Sequence, residues 1–268
     1  MKTSYEDLHR LFRDSISARE IAEPLATFDA DQSAKRVNGF MTEKGFDVIG
    51  VSSDGAMLGY IKRSDLNDES GTLKEFVRDF SEVPLLDEKT PLLETLNELT
   101  NQHFIFLRFL GSPSAIVTRS DLQKAPVRMW LFGLISILEM QLLQLIKNRE
   151  EGNWWVSHLK ENRINAADRI FKERLKKKED ISLADCLQIC DKRDIFLSDS
   201  KLFELTGFDS KNKWSEVMSD IEKLRNNLAH SNQLDTDSWP NKAKLAKRIE
   251  DIIRKLEKSH ISFPSLLD

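Results

Sequence analysis

Late in the chain, Leu224-Arg225-Asn226-Asn227-Leu228-Ala229-His230 places an arginine five residues ahead of a histidine. Those two residue types suit the cleavage of a phosphodiester by a neighbouring ribose hydroxyl. The reaction needs one proton taken and one given, and imidazole titrates near neutrality. Its transition state gathers negative charge on phosphoryl oxygens, which a guanidinium stabilises through paired hydrogen bonds. No metal is required, and the expected products are a 2′,3′-cyclic phosphate and a 5′-OH. On a regular helix Arg225 and His230 lie about 140° apart, whereas Asn226 and His230 share a face. Arg225 joins such a site only through its long side chain, a local break or a second subunit. The same residues also fit a plain amphipathic helix, with cationic groups at the end its dipole favours.

A second constellation occurs twice. Ile61-Lys62-Arg63-Ser64-Asp65-Leu66 and Val117-Thr118-Arg119-Ser120-Asp121-Leu122 end two similar stretches, with the aspartates 56 residues apart. Where a strand gives way to a helix, unpaired N–H groups attract a phosphate. The Thr118 hydroxyl can add a hydrogen bond, and Arg63 and Arg119 can reach phosphates. Asp65 and Asp121 can each accept from ribose hydroxyls, and apolar strand residues such as Ile49 or Phe106 can sandwich a base. Lys62 stands where the second copy has a hydroxyl and adds a positive charge. The competing reading is structural, because Thr-x-x-Asp is also an ordinary helix cap.

The elements around these runs repeat as well. An acidic turn leads into a helix at about 33–44 and again at about 91–102. Apolar strands follow at 47–51 and 104–109, then a turn (Ser52-Ser53-Asp54-Gly55; Gly111-Ser112-Pro113-Ser114) and a last strand. Strands alternating with helices predict an α/β layer over 17–125, in units of about 17–68 and 80–124, after an N-terminal helix within 1–16. Beyond Ala125 strand patterns stop. Helices are expected at 127–147, 165–178, 183–191, 211–231 and 242–258, which makes 126–268 an all-α bundle.

Composition narrows the function classes. The chain has 268 residues, 40% hydrophobic and 31% charged, and a net charge of −4, so no overall basic surface marks it. Its two cysteines exclude a disulfide scaffold, and they are too few for a zinc site built on three or four cysteines. Cys186 and Cys190 share a helical face and read as core. The apolar run 129–146 contains Glu139, Gln141 and Gln144, which favours a buried helix over a membrane span. Glu139 within it is a candidate partner for Arg225, or else a polar spot in a dimer interface. His158 follows Trp154-Trp155, which read as packing rather than base stacking. The polar, acidic start lacks an apolar signal core, so the expected location is cytoplasmic.

The doubled unit resembles the CBS domain, and the pair over about 17–124 resembles the tandem CBS arrangement. The resemblance implies a regulatory adenine nucleotide (ATP, ADP or AMP) held by Thr118, Asp121, Arg119, Asp65, Lys62 and Arg63. Many such pairs bind nothing known and serve as dimerisation platforms. The Arg225–His230 run in a helical setting is similar to the HEPN superfamily signature, over about 127–258. That resemblance implies a metal-independent endoribonuclease with catalytic Arg225, Asn226, His230 and Glu139. It also implies a homodimer in which two motifs build one site, and a role in toxin or phage-defence systems. RNA is then the substrate, with no cofactor for catalysis and no membrane partner. The rival expectation is a non-enzymatic, nucleotide-responsive regulator whose helical half binds a protein.

Overall fold

The computed structural model describes residues 4–66, 70–149, 152–230 and 232–262. It divides into two compact bodies. An α/β body holds residues 10–126 together with 236–240, and a helical body holds the described residues of 1–9, 127–235 and 241–268.

The α/β body is built from one plan used twice. After β1 (Glu23–Pro24) come β2 (Thr27–Asp29), helix α2 (Ala34–Lys44), β3 (Val48–Ser53), β4 (Ala56–Lys62) and a 3₁₀ turn at Arg63–Leu66. The second copy is β5 (Leu85–Asp87), α3 (Leu92–Asn101), β6 (Phe104–Phe109), β7 (Ser112–Thr118) and a 3₁₀ turn at Arg119–Gln123. In both copies the first strand runs parallel to the second, and the second pairs antiparallel with the third. The sheets are ordered β2-β3-β4 and β1-β7-β6-β5.

Even the hairpin irregularities repeat. The register shifts between Val51 and Ser52, and again between Leu107 and Arg108. Each hairpin then turns through two residues of positive φ, Asp54-Gly55 (51° and 78°) and Leu110-Gly111 (48° and 85°). That backbone matches strand twist and needs a residue without Cβ at its second position.

Repeat one has its own core, in which Ala34, Val37 and Met41 of α2 meet Ile49, Val51 and Ile61. A second cluster joins Leu25, Tyr60, Val83, Phe106 and Ile116 across the two repeats. Ile49 and Phe106 are fully buried in these clusters and offer no face to a base, which corrects the stacking role expected for them. Apolar strand residues flanked on both sides by packed elements are consumed as core.

The helical body begins with the first turn of α1 (Tyr5–Asp14). It continues with α4 (Ala125–Arg149), α5 (Glu161–Lys176), α6 (Ile189–Ser198), α7 (Ser200–Thr206), α8 (Lys211–Ala229) and α9 (Trp239–Ser262), the first two residues of α4 and of α9 belonging to the α/β body. By length and composition α4 could cross a membrane, but half of its most apolar window is buried inside the protein. Leu131, Leu134, Leu138, Leu142 and Ile146 are among its buried residues, while Met129, Phe132 and Met140 are exposed.

The helix expected at 183–191 is instead a 3₁₀ turn, Leu183–Cys186, followed by α6. Leu187 and Gln188 are extended, and Asp191 reaches back to the Gln188 N–H as a capping box, so a new helix starts there. Cys186 and Cys190 therefore lie on separate elements. Cys186 is buried, whereas Cys190 is only half-buried and accepts from Arg163 Nη2 at 3.1 Å. Helix α7 lies outside the expected set; Asp199 caps it by accepting from the Leu202 N–H. Ser231, the expected end of α8, lies outside the described residues.

Candidate functional site

At the end of α8 the chain presents the Arg–His run. Buried Trp214, Met218, Ile221, Leu224 and Leu228 form the inner stripe of this helix, at three- and four-residue steps. That stripe leaves Asn226 and His230 exposed and Arg225 at its margin. His230 ends the helix, with φ −91° and ψ 9°, and its N–H still bonds to the Asn226 carbonyl. Arg225 Nε faces Glu139 Oε1 on α4 at 3.6 Å, and its Nη1 donates to Asn226 Oδ1 at 3.3 Å. The structure thus brings Arg225, Asn226 and Glu139 together, with His230 one turn beyond Asn226.

Two further residues complete this corner, and the sequence reading missed both. Arg128 of α4 donates to the carbonyls of Asn232 at 2.9 Å, Leu228 at 3.0 Å and Asn227 at 3.4 Å. It therefore caps the orphan carbonyls at the α8 terminus. Lys192 of α6, 5% exposed, donates to Glu139 Oε2 at 2.9 Å. Glu139 is thus bracketed by a buried ammonium and by the Arg225 guanidinium. Signals for both were present. Arg128 and Glu139, eleven residues apart, lie about 20° apart around one helix. Lys192 sits at a core step between Ile189 and Ile195 of α6.

The repeat ends use their matching residues differently. In repeat two, Asp121 is 7% exposed. Its Oδ2 accepts from the Thr118 N–H at 2.8 Å and the Thr118 hydroxyl at 2.9 Å, and Lys124 Nζ lies 2.9 Å from its Oδ1. Burial works against the Lys124 charge, but the Glu23 and Asp121 carboxylates raise its pKa above the ordinary lysine value. Arg119 donates to the carbonyls of Leu99, Thr100 and Gln102, at 3.1–3.3 Å, where α3 ends. Its guanidinium is spent on a helix terminus rather than aimed at a phosphate.

In repeat one, Asp65 takes a bidentate pair from Arg78, at 2.7 and 2.8 Å, and the Lys62 N–H at 3.1 Å. Arg78 holds the Asp65 carboxyl below its usual pKa. Arg63 meets Asp47 at 2.6 Å. The Lys62 ammonium lies 5.7 Å from the centre of the Phe104 ring and has no hydrogen-bond partner among the described residues.

His158 Nδ1 lies 3.0 Å from Ser198 Oγ, Trp154 donates to the Ile146 carbonyl and Trp155 is buried, as packing residues would be. No group of three or more His, Cys, Asp or Glu side chains is placed to hold a metal among the described residues.

No family model matches the chain, and no curated protein does. Over part of its length it is similar to solved CBS-domain structures. A CBS domain-containing protein of unknown function from Bacillus anthracis aligns with 42% of this chain and 94% of its own, at 14% identity and a TM-score of 0.38. The CBS domain of a bacterial CNNM/CorC family Mg2+ transporter in complex with ATP aligns with 46% of this chain and 95% of its own, at 16% identity and a TM-score of 0.36. A hemolysin-like CBS protein of Oenococcus oeni aligns with 45% and 96%, at 15% identity and a TM-score of 0.35. The order strand, helix, hairpin and closing turn, present twice, independently describes the α/β body.

Proposed function

We propose that the chain is a nucleotide-regulated, metal-independent endoribonuclease acting as a homodimer, with the repeats as sensor and the helical body as effector. The observation that carries the catalytic half is the corner at the end of α8. Arg225 is oriented by Glu139 and Asn226, while His230 remains exposed one turn away. His230 moves the proton of the attacking 2′-hydroxyl or of the leaving oxygen, and Arg225 stabilises the charged phosphoryl oxygens. A second copy of the motif supplies the other proton transfer, which is the role the homodimer plays in this reading. For the sensor half, the ligand we assign is an adenine nucleotide, the class one CBS neighbour holds as ATP. Its binding alters cleavage to the extent that it favours one arrangement of the dimer.

The test is cleavage of a labelled single-stranded RNA in EDTA by wild type, Arg225→Ala and His230→Ala. Circular dichroism and sedimentation check that all three stay folded and dimeric. Wild type should cut and leave 2′,3′-cyclic phosphate ends, and each variant should lose about 100-fold or more in rate. Equal cutting by His230→Ala contradicts the proposal. An intact dimer without turnover would instead make the helical body a binding module.

A further inference from the structure

Repeat one carries an open cleft of about 450 Å³ lined by Asn38, Thr42, Asp47, Lys62, Arg63 and Ser64. This volume falls in the range of small-molecule sites. We propose that the cleft binds the phosphate end of a phosphorylated small ligand, such as the diphosphate portion of a nucleotide, and that repeat two, whose matching arginine is committed to the fold and whose lysine is a threonine, does not. The inference builds on the sensor half of the reading above and stands or falls without the nuclease half.

Three observations carry it. First, the residues lining the cleft include two cations and two hydroxyls against a single carboxylate, with the Asn38 amide donating to the Leu66 carbonyl at 3.4 Å. The Lys62 ammonium is without a hydrogen-bond partner among the described residues, and Arg63 spends one Nη2 contact on Asp47, whose side chain is 80% exposed. A phosphate meeting these groups would gain charge-assisted hydrogen bonds at little cost in protein structure.

Second, the ribose-reading carboxylate is withdrawn. Asp65 is held by both ends of the Arg78 fork, so recognition at this repeat falls to the anion rather than to the sugar.

Third, the second copy serves as an internal control. Buried Ala34, Val37 and Met41 of α2 match buried Leu92, Thr95 and Leu99 of α3, which sets Asn38 against Leu96 and Thr42 against Thr100. There Leu96 is buried, and Trp239, 1% exposed, donates its indole N–H to the Leu96 carbonyl at 3.1 Å. Arg119 is bound to the carbonyls of α3, and a neutral Thr118 replaces Lys62. Of the matching positions in repeat two, Leu96 is apolar and buried and Arg119 is committed to the end of α3, while Thr100, His103, Thr118 and Ser120 remain polar and carry no lysine.

The test is isothermal titration of the full chain with ATP, pyrophosphate, AMP and adenosine. ATP and pyrophosphate should bind at one site per chain and weaken with added salt, and adenosine should not bind. Lys62→Ala and Arg63→Ala should each weaken ATP and pyrophosphate by about 10-fold, the loss of one charge-assisted hydrogen bond. Arg63→Lys should recover part of that loss, and thermal melts check that each variant stays folded. Adenosine binding as tightly as ATP, two equal sites per chain, wild-type affinity in both alanine variants, or no binding of ATP and pyrophosphate would each overturn the proposal. The RNA assay above is indifferent to these outcomes.

Discussion

The two repeats share the text Arg-Ser-Asp-Leu at the same place, yet Arg63 and Arg119 do different work. The cause lies upstream, at the end of the preceding helix. Helix α2 ends on Gly45 in the left-handed conformation, φ 69°, and backbone N–H groups of Gly45 and Phe46 close its last carbonyls. Helix α3 ends on an extended Gln102 with no glycine, and its carbonyls are closed by the Arg119 side chain. A glycine cap in one copy thus leaves Arg63 to the cleft, and its absence in the other commits Arg119 to structure. The aspartates diverge in the same way. Asp121 binds its own turn and Lys124, whereas Asp65 binds Arg78 from the segment that follows repeat one. A repeated motif therefore fixes a backbone geometry, and its neighbours decide whether the side chains serve the fold or a ligand.

Substitutions can sharpen or break this contrast. The largest effect should come from Trp239→Ala, which removes a fully buried indole and its bond to the Leu96 carbonyl and should cost about 3–5 kcal/mol in denaturant unfolding. A cost below about 1 kcal/mol would mean that Trp239 does not help hold α3 of repeat two in place. Next, Arg119→Ala should destabilise by about 1–3 kcal/mol because it leaves three helix-end carbonyls without their donor. Arg63→Ala, at an exposed pair, should cost less than about 1 kcal/mol. Equal costs for the two arginines would erase the distinction. The smallest effect concerns acid. The Asp65 pKa is lowered in the fold, so its contribution is present above the unfolded value of about 3.9 and is lost as pH falls through the lower, folded one. The gap in stability between wild type and Asp65→Asn should therefore narrow as pH drops below about 4. A gap that stays constant from pH 7 to pH 3 would contradict the pairing with Arg78.

Much of this was legible in the residues. The 56-residue offset of the closing runs places both hairpins, and the same offset separates β3 from β6 and β4 from β7. Glu139 is readable as a partner for Arg225 from its place as a carboxylate in an apolar helix and from what the HEPN resemblance implies, and the structure sets the two 3.6 Å apart. What the sequence did not show are partners supplied by distant segments. Arg78 reaches Asp65 from the connection after repeat one, Lys192 reaches Glu139 from α6, and Trp239 reaches Leu96 from the far end of the chain. No local pattern encodes such meetings. The base-stacking role of Ile49 and Phe106 failed for a related reason, since a strand residue that faces a packed layer cannot also face a ligand.

The central claim is that a ligand of the repeats controls cleavage by the helical body. The direct measurement is the initial rate of RNA cleavage in EDTA against ATP concentration, for wild type and for the paired variant Lys62→Ala, Arg63→Ala. The account predicts that saturating ATP changes the wild-type rate by about 5-fold or more, the lower range of ordinary coupling between sites, and leaves the rate of the paired variant flat. A wild-type rate that does not respond to ATP, or a paired variant that responds as wild type does, would contradict it.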